Sequence, residues 1–520
     1  MKFKIKSWLF ALFCTHLYLP VAGQVPLLKT DDFKHYVDYF NQNDQELYPQ
    51  AISNERAWDF MVENIPFFEC PDKQLEQTYY FRWWTYRKHL KQTPAGYIIT
   101  EFLPAVPWAG KYNSISCPAA HHFYEGRWLR NATYLKDYAK FWFDGEASPR
   151  AYSFWAADAI QAFTQVHPDP TFTANMFPKL VANYQEWEKT HLDSTGLFWQ
   201  TDNRDGMEVS VSGAMGKADQ GYRATINSYM YGDAVALAQM ARNLGDQKSA
   251  LHYAQKSAWI KKQILTRLWD DQAKFFKVIP RGQSKMDQAD VRELHGFTPW
   301  KQLTDTNGFN APYGLTTTEQ RHPNFTISYQ GHECQWNGPS WPFASSITLT
   351  AMANLLHHYK QTIVSKRDYF STFIVYSRAH QRILPSGKII PWIDENLNPY
   401  TGDWISRSRL STWEAGGWSE SKGGPERGKD YNHSTFCDQV ISGIIGIKAG
   451  NANDIIINPL IPDGAWEYFC LDNVLYKGKV ISVIYDSSGK KYGKGKGFRV
   501  YVDGKEVATS VLPQKTVINI

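Results

Sequence analysis

INSYMYGDAVALAQMARNLGDQKSALHYAQKSAWIKKQILTRL, residues 226–268, decides the fold class. Ile226, Met230, Ala234, Leu237, Ala241 and Leu244 recur at three- and four-residue steps, the period that lines apolar side chains along one stripe of an α-helix, and Gly245 supplies a stop. After Asp246–Lys248 the pattern resumes with Leu251, Ala254, Ala258, Ile260, Ile264, Leu265 and Leu268. Two helices joined by so short a linker pack antiparallel, so this stretch is a helical hairpin. Similar patterns occur at 72–91, 149–166, 175–190, 344–360 and 366–383. Between them run segments dense in Gly, Pro, Trp and Asn, at 104–130, 202–224, 318–343 and 391–433. Loops of that length inside a compact domain are usually functional.

A helical region of roughly 400 residues cut into hairpins has room for about twelve helices. Six hairpins close into an (α/α)6 barrel with the long loops at one mouth. A helical solenoid is the alternative, but no consensus recurs at a fixed period. From about Asn451 the pattern changes to short β-runs (Asp454–Ile457, Lys479–Tyr485, Gly497–Val502, Val511–Ile520) separated by turns such as Ser487-Ser488-Gly489 and Asp503-Gly504. Gly493, Gly495 and Gly497 fall in a lysine-rich hairpin with no helix after them, which reads as a turn rather than a phosphate loop. The expected architecture is mainly α: a barrel over 24–450 and a small β-sandwich-like C-terminal domain over 451–520.

Residues 1–23, MKFKIKSWLFALFCTHLYLPVAG, place three lysines before a short apolar stretch and small residues after it, the layout of a secretory signal peptide. An N-terminal membrane anchor is the alternative, though the run is short for a span and His16 interrupts it. Loss of Lys2, Lys4 and Lys6 would take 56 basic residues to 53 against 51 acidic, a nearly neutral protein with no basic stripe for nucleic acid. Five cysteines then remain (Cys70, Cys117, Cys334, Cys437, Cys470), too few for a disulfide framework, though one or two bridges are permitted outside the cytosol. The chain is expected in the periplasm or outside the cell, free of the membrane after cleavage.

Several chemistries have no motif here: GxSxG, GxxxxGK[ST], HExxH and CxxC are all missing from the sequence. His121-His122 and His357-His358 are adjacent pairs that diverge on a helix, and Asp202-Asn203-Arg204-Asp205-Gly206 lacks the alternating ligands of a calcium loop, so no metal and no cofactor is expected. What remains is carboxylates among aromatics, in a chain whose residues are 15% aromatic. Ile65–Trp84 (IPFFECPDKQLEQTYYFRWW) carries Glu69, Asp72, Arg82 and Trp84. Asp205–Gly213 (DGMEVSVSG) isolates Glu208. His332–Pro342 (HECQWNGPSWP) carries Glu333, Trp336, Asn337 and Trp341, and Pro391–Trp404 (PWIDENLNPYTGDW) carries Asp394 and Glu395. Such mixtures suit sugars, whose C–H faces pack on indole rings and whose hydroxyls need carboxylate, amide and guanidinium partners. Hydrolysis of a glycosidic bond needs two carboxyl groups, one protonated by its setting and one that activates water or attacks directly. Each residue also has a purely architectural reading: tryptophans are mostly packing, Glu69 caps or salt-bridges a helix, Glu333 struts a loop and Asp394 caps a turn.

WNGPSWP at Trp336–Pro342 resembles the WRGPIWP-type loop of glycoside hydrolase family 63, and IDENLNPYTG at Ile393–Gly402 resembles that family's E(N/Q)YNPxTG loop. Family 63 and the trehalases share an (α/α)6 barrel and an inverting mechanism, with the general base in the second loop and an Asp general acid in an ESGxDxS-type loop. DGMEVS can be laid on that loop, with Glu208 where the family has Asp and without the leading ES. FRWWTYRKHLK, WAGKYNSISC, EGRWLRNATY and YNHSTFCDQVISG look more like bacterial six-hairpin glycosidases near family 142, which implies activity on plant β-L-arabinofuranosides. The resemblance implies Glu395 as general base, Glu208 as general acid and Trp336, Asn337 and Trp341 in the sugar subsite. Loop position adds Asp72, Arg82, Trp84, Trp108, Arg127, Glu333 and His433 as sugar contacts. The expected function is an exo-acting, inverting glycoside hydrolase acting on a plant or bacterial glycan, its two carboxyls about 6.5–9.5 Å apart. A polysaccharide lyase and a non-catalytic glycan-binding protein are the competing readings, and oligomeric state is open.

Overall fold

The computed structural model describes residues 26–145, 147–211, 220–271, 275–282, 299–328, 334–408, 423–424, 426–448 and 453–520. The expected signal peptide lies outside the described residues. The helices, in chain order, are α1 (Lys34–Gln42), α2 (Ala57–Asn64), α3 (Lys73–His89), α4 (Ala119–Gly126), α5 (Thr133–Phe143), α6 (Ala156–Val166), α7 (Pro170–His191), α8 (Ala224–Asn243), α9 (Gln247–Gln263), α10 (Pro342–His358) and α11 (Lys366–Arg378). A further helical run at Phe436–Asp438 continues as a π-turn through Gln439–Ile444.

Local chemistry sets their ends. The side chains of Asp72, Asp169 and Asp246 accept from the first backbone N–H groups of α3, α7 and α9. Ser365 and Asp368 form a reciprocal capping box at α11. Gly245 ends α8 with φ +78°, a conformation a Cβ would strain.

The hairpin α8–α9 forms as its sequence dictates, with α8 burying Ile226, Met230, Ala234, Leu237 and Ala241. On α9 the buried stripe is Ala250, Tyr253, Ser257 and Ile260, continued by Ile264 in the π-turn Ile264–Leu268 that follows, while Leu251 and Leu265 face outward. Small and aromatic residues carry the inward face there, and the leucines do not mark it. The segment 104–130 holds α4, and α5 arises on Tyr134, Leu135, Tyr138, Phe141 and Trp142, a stripe that is aromatic rather than aliphatic. Helices pack in pairs and across, α1 on α3, α4 and α8 on α6, α7 on α8, and α10 on α11. Helix α3 is buried almost all round, as a helix inside a double-layered barrel must be. The fold is mainly α, built of helical hairpins in the six-hairpin manner, with a separate small C-terminal β-region.

That β-region has a five-stranded antiparallel sheet in the order Phe67–Glu69, Tyr468–Tyr476, Lys479–Asp486, Gly497–Val502 and Lys505–Ser510. A three-stranded sheet joins Ile447–Lys448, Asp454–Ile457 and Thr516–Asn519. The longest strand, Tyr468–Tyr476, and Lys505–Ser510 were not evident from alternation, and only Thr516–Asn519 of the last expected run is strand. The edge strand Phe67–Glu69 comes from the helical part of the chain and pairs with Cys470–Asp472, stitching the two regions together. All five described cysteines are free thiols. Among the described residues no helix is long and apolar enough to cross a membrane.

Candidate active site

Three loops are sewn into one wall. Val209 N donates to Cys334 O at 3.3 Å and Trp336 N donates to Val209 O at 2.7 Å. At the other end of the tryptophan loop, Ser340 and Leu397 exchange both backbone hydrogen bonds at 3.0 Å. The segment Trp336–Trp341 is therefore fixed between the loop of Glu208 and the loop of Glu395.

The Glu208 loop is shaped by buried charge. Arg223, just before α8, pairs with Asp202 and lies 3.8 Å from Asp205, which also takes the Ser153 hydroxyl. Met207 N closes the turn on Asp202 O at 2.9 Å. Gly206 makes that turn at φ +75°, and a Cβ there would lie 2.7 Å from Cys117 Sγ. The Asp202–Gly206 stretch is thus a structural clasp.

The Glu395 loop is held by its neighbour. Asp394 Oδ1 accepts the Glu395 amide at 3.0 Å and the Ser406 hydroxyl at 3.2 Å, while Oδ2 takes Arg407 Nε at 3.0 Å. Gly428 packs so close that a Cβ would meet Asp394 Oδ1 at 1.8 Å. Glu395 itself is buried, with Oε1 2.6 Å from Arg427 Nη2, and the guanidinium lies over the Trp108 ring at 5.3 Å.

These walls line a cleft with a cavity volume of about 210 Å³. Glu101, Glu208 and Glu395 all line it, with Arg427, Trp108 and Tyr431. Trp336 and Trp341 stack at 4.2 Å and 11°, and Phe343 and His433 complete the apolar floor. The Nε2 atom of His433 is buried without a hydrogen-bond partner, and burial holds its imidazole well below the usual range, so it is neutral. Burial pushes Glu101 up to about 8; the charges of Glu395 and Glu208 add to that rise, while Tyr431 and Arg427 work against it.

Of the residues expected at the site, Glu208, Glu395, Trp108, Trp336, Trp341 and His433 meet in this cleft. Glu333 lies outside the described residues. Asn337 is buried but outside the lining, 3.4 Å from Gln335 Nε2. Asp72 caps α3, a 17-residue helix about 25 Å long, at the end remote from the one that leads on to Glu101. Arg82 is fully buried in the same helix and donates to Thr85 Oγ1 at 2.8 Å. Trp84 donates its indole N–H to Asn41 Oδ1 at 2.8 Å, and Arg127 binds Asp438 at 2.7 Å. Those last four support the barrel: Arg82 and Trp84 point from within α3 into the packing, while Asp72 and Arg127 are spent at helix ends, on the first N–H groups of α3 and on Asp438. Glu101, Arg427 and Tyr431 are among the cleft residues that sequence reasoning missed, as are Tyr152, Asn203 and Phe343. EFLPAVPW, a carboxylate leading a Pro- and aromatic-rich segment, was the signal for Glu101.

Residues 111–434 match the family model described as the mannosylglycerate hydrolase MGH1-like glycoside hydrolase domain, and residues 450–509 match the C-terminal domain of glycosyl hydrolase family 65. Among solved structures, one titled "Sialidase" is 41% identical with a TM-score of 0.85, over 94% of this chain and 44% of that one. This chain therefore spans less than half the length of that relative. A GH63 mannosylglycerate hydrolase from Thermus thermophilus in complex with glucose is 14% identical with a TM-score of 0.44, over 66% of this chain and 95% of that one. A GH78 family rhamnosidase of Bacillus sp. GL1 is 10% identical with a TM-score of 0.48, over 84% and 41%.

Proposed function

The chain belongs to the family of MGH1-like glycoside hydrolases, and from that premise we propose that it hydrolyses a glycosidic bond to a neutral sugar with inversion, Glu395 acting as general base and Glu208 as general acid. The observation that carries the reading is the shared cleft: two carboxylates from different loops flank one stacked indole pair in a pocket of sugar size. In that mechanism Glu395, oriented by Arg427 and Asp394, takes a proton from water as the water attacks the anomeric carbon. Glu208 gives its proton to the leaving oxygen, and the anomeric centre inverts. The indole faces pack on the C–H face of the ring, and His433 Nε2 is available to a sugar hydroxyl.

A neutral sugar fits the charge balance. Among the described lining residues the one cationic side chain, Arg427, is engaged by Glu395, and His433 is neutral, so a uronate or sialate carboxylate would find no unengaged cation among them. The same balance disfavours a lyase, which needs a group to neutralise a uronate. An exo-acting enzyme exported to the periplasm or beyond, working on plant or bacterial glycans, completes the reading. Reducing-sugar release from neutral aryl glycosides, β-L-arabinofuranosides included, set against uronides and sialosides, tests it. Release from the acidic panel alone would contradict it.

A further inference from the structure

Glu101 is absent from the proposed chemistry, yet it lines the same cleft as the two reacting carboxylates. Its backbone is fixed from both sides: its carbonyl accepts Asn432 N at 3.1 Å, and Asn432 Nδ2 donates to the Thr100 carbonyl at 3.3 Å. The residue is 5% exposed, and Tyr431 Oη donates to Oε1. No lysine, arginine or histidine among the described residues lies in ion-pair range of it. Glu208 and Glu395 line the same cleft and their charges act on it, and the one guanidinium among the described lining residues, Arg427, is engaged by Glu395. Cys117, Tyr138 and Tyr152, from the segments before α4, within α5 and before α6, also face it and bring no positive charge.

Resting on the glycosidase reading, we propose that Glu101 is a specificity-determining residue of the sugar subsite, holding a proton on Oε2 and donating it in a hydrogen bond to a hydroxyl of the bound sugar. Tyr431 occupies Oε1 as a donor, so the proton of a neutral carboxyl belongs on the other oxygen. Three carboxyls sharing one cleft with one engaged guanidinium cannot all be ionised cheaply, and Glu101, buried and with no ion-pair partner among the described residues, keeps a proton while Glu395 stays paired with Arg427. The carboxyl ordinarily titrates near 4.5 and here does so at about 8, so it is mostly neutral at pH 7. A neutral acid at this place discriminates in favour of a substrate that accepts there, because a sugar lacking that hydroxyl leaves a buried donor unmade.

The test has two arms, both on the full-length chain. In the first, KM and kcat are measured from pH 5 to 9.5 on the 4-nitrophenyl glycoside that wild type cleaves best, for wild type, Glu101→Gln and Glu101→Ala. Wild-type KM is expected to rise about tenfold between pH 7 and 9 as the donor ionises. In Glu101→Gln, whose amide donates at every pH, KM is raised about two- to fivefold at pH 6 and the alkaline rise is lost; in Glu101→Ala it is raised about ten- to a hundredfold throughout. A Glu101→Gln kcat reduced as severely as in Glu395→Gln would make Glu101 a reacting group and overturn the proposal, as would a wild-type KM flat to pH 9. The second arm needs no substrate: the thermal midpoint of wild type relative to Glu101→Gln must fall as pH rises from about 4.5 to 8, because the folded state holds a proton the unfolded chain has released. Parallel curves overturn the protonation claim. Wild type inactive on every glycoside overturns the hydrolase reading and the proposal with it, and this second arm separates that failure from an error about Glu101 itself.

Discussion

Arg427 binds Glu395 at 2.6 Å while its guanidinium lies over Trp108, so one side chain joins the proposed general base to an aromatic residue at the cleft rim. Both partners of the ion pair are almost fully buried, where losing one charge leaves the other uncompensated. The pair spans 32 residues of sequence and closes the long loop from Pro391 to His433 upon itself. It orients Glu395, and a neighbouring guanidinium favours the carboxylate form that the proposed general base needs. Removing the guanidinium should therefore cost stability as well as rate. Arg427→Gln is expected to lower kcat about a hundredfold and to move the acid limb of the kcat/KM profile to higher pH. An unchanged profile would mean that Arg427 serves only to pack the loop.

Asp394 holds the Glu395 amide and Arg407 at once, and Gly428 leaves it the room to do so. Gly428→Ala should displace the carboxylate and misplace Glu395. A drop in kcat of about ten- to a hundredfold with little change in KM is expected, since small displacements of a reacting group cost rate more than binding. Asp394→Asn, which keeps one acceptor oxygen, should lose less. Equal KM and kcat effects would show a general loosening of the pocket instead.

Trp336 and Trp341 offer a stacked platform rather than two separate rings. Trp336→Ala is expected to raise KM about tenfold or more, and Trp336→Phe to recover most of that loss, because the aromatic face and not the indole N–H meets the sugar. An alanine variant with unchanged KM would place the sugar elsewhere.

The barrel interior also carries a pH signature. His121 and His122 are fully enclosed and titrate at about 3, and burial is the largest cause in both. Their folded value lies below the unfolded value of about 6.5, so the stability they permit is present above that pH and is lost as pH falls toward the folded value. At pH 5 each such imidazole costs about 2 kcal/mol of stability. The stability difference between wild type and His121→Gln should shift by about that amount between pH 7.5 and 5, in favour of the variant at the acid end. Denaturant titration at the two values measures it, and no shift would mean that His121 stays solvated.

The fold was legible because helix period and linker length are local properties: Ile226 through Leu268 state a hairpin without help from elsewhere. The outward face of α9 was misread where Leu251 and Leu265 lie on the surface and Tyr253 and Ser257 lie within, a choice made by the packing of α8 and not by hydrophobicity. At the site, Glu395, Trp336 and Trp341 stood in recognisable loops. Glu101 and Arg427 did not, because their partners Tyr431 and Glu395 lie 330 and 32 residues away and nothing local marks the pairing. Arg82, Trp84 and Arg127 show the reverse error. They sit near loops in sequence, but helix geometry turns them into the barrel wall, where Arg127 meets Asp438 and Trp84 meets Asn41.

Reducing-sugar release by wild type, Glu395→Gln and Glu208→Gln on a panel of plant and bacterial polysaccharides and aryl glycosides tests the central claim most directly. The account predicts release from a neutral glycoside by wild type and a loss of about 10²- to 10⁴-fold in each variant, with both variants folded. Release that persists in the two folded variants would contradict it.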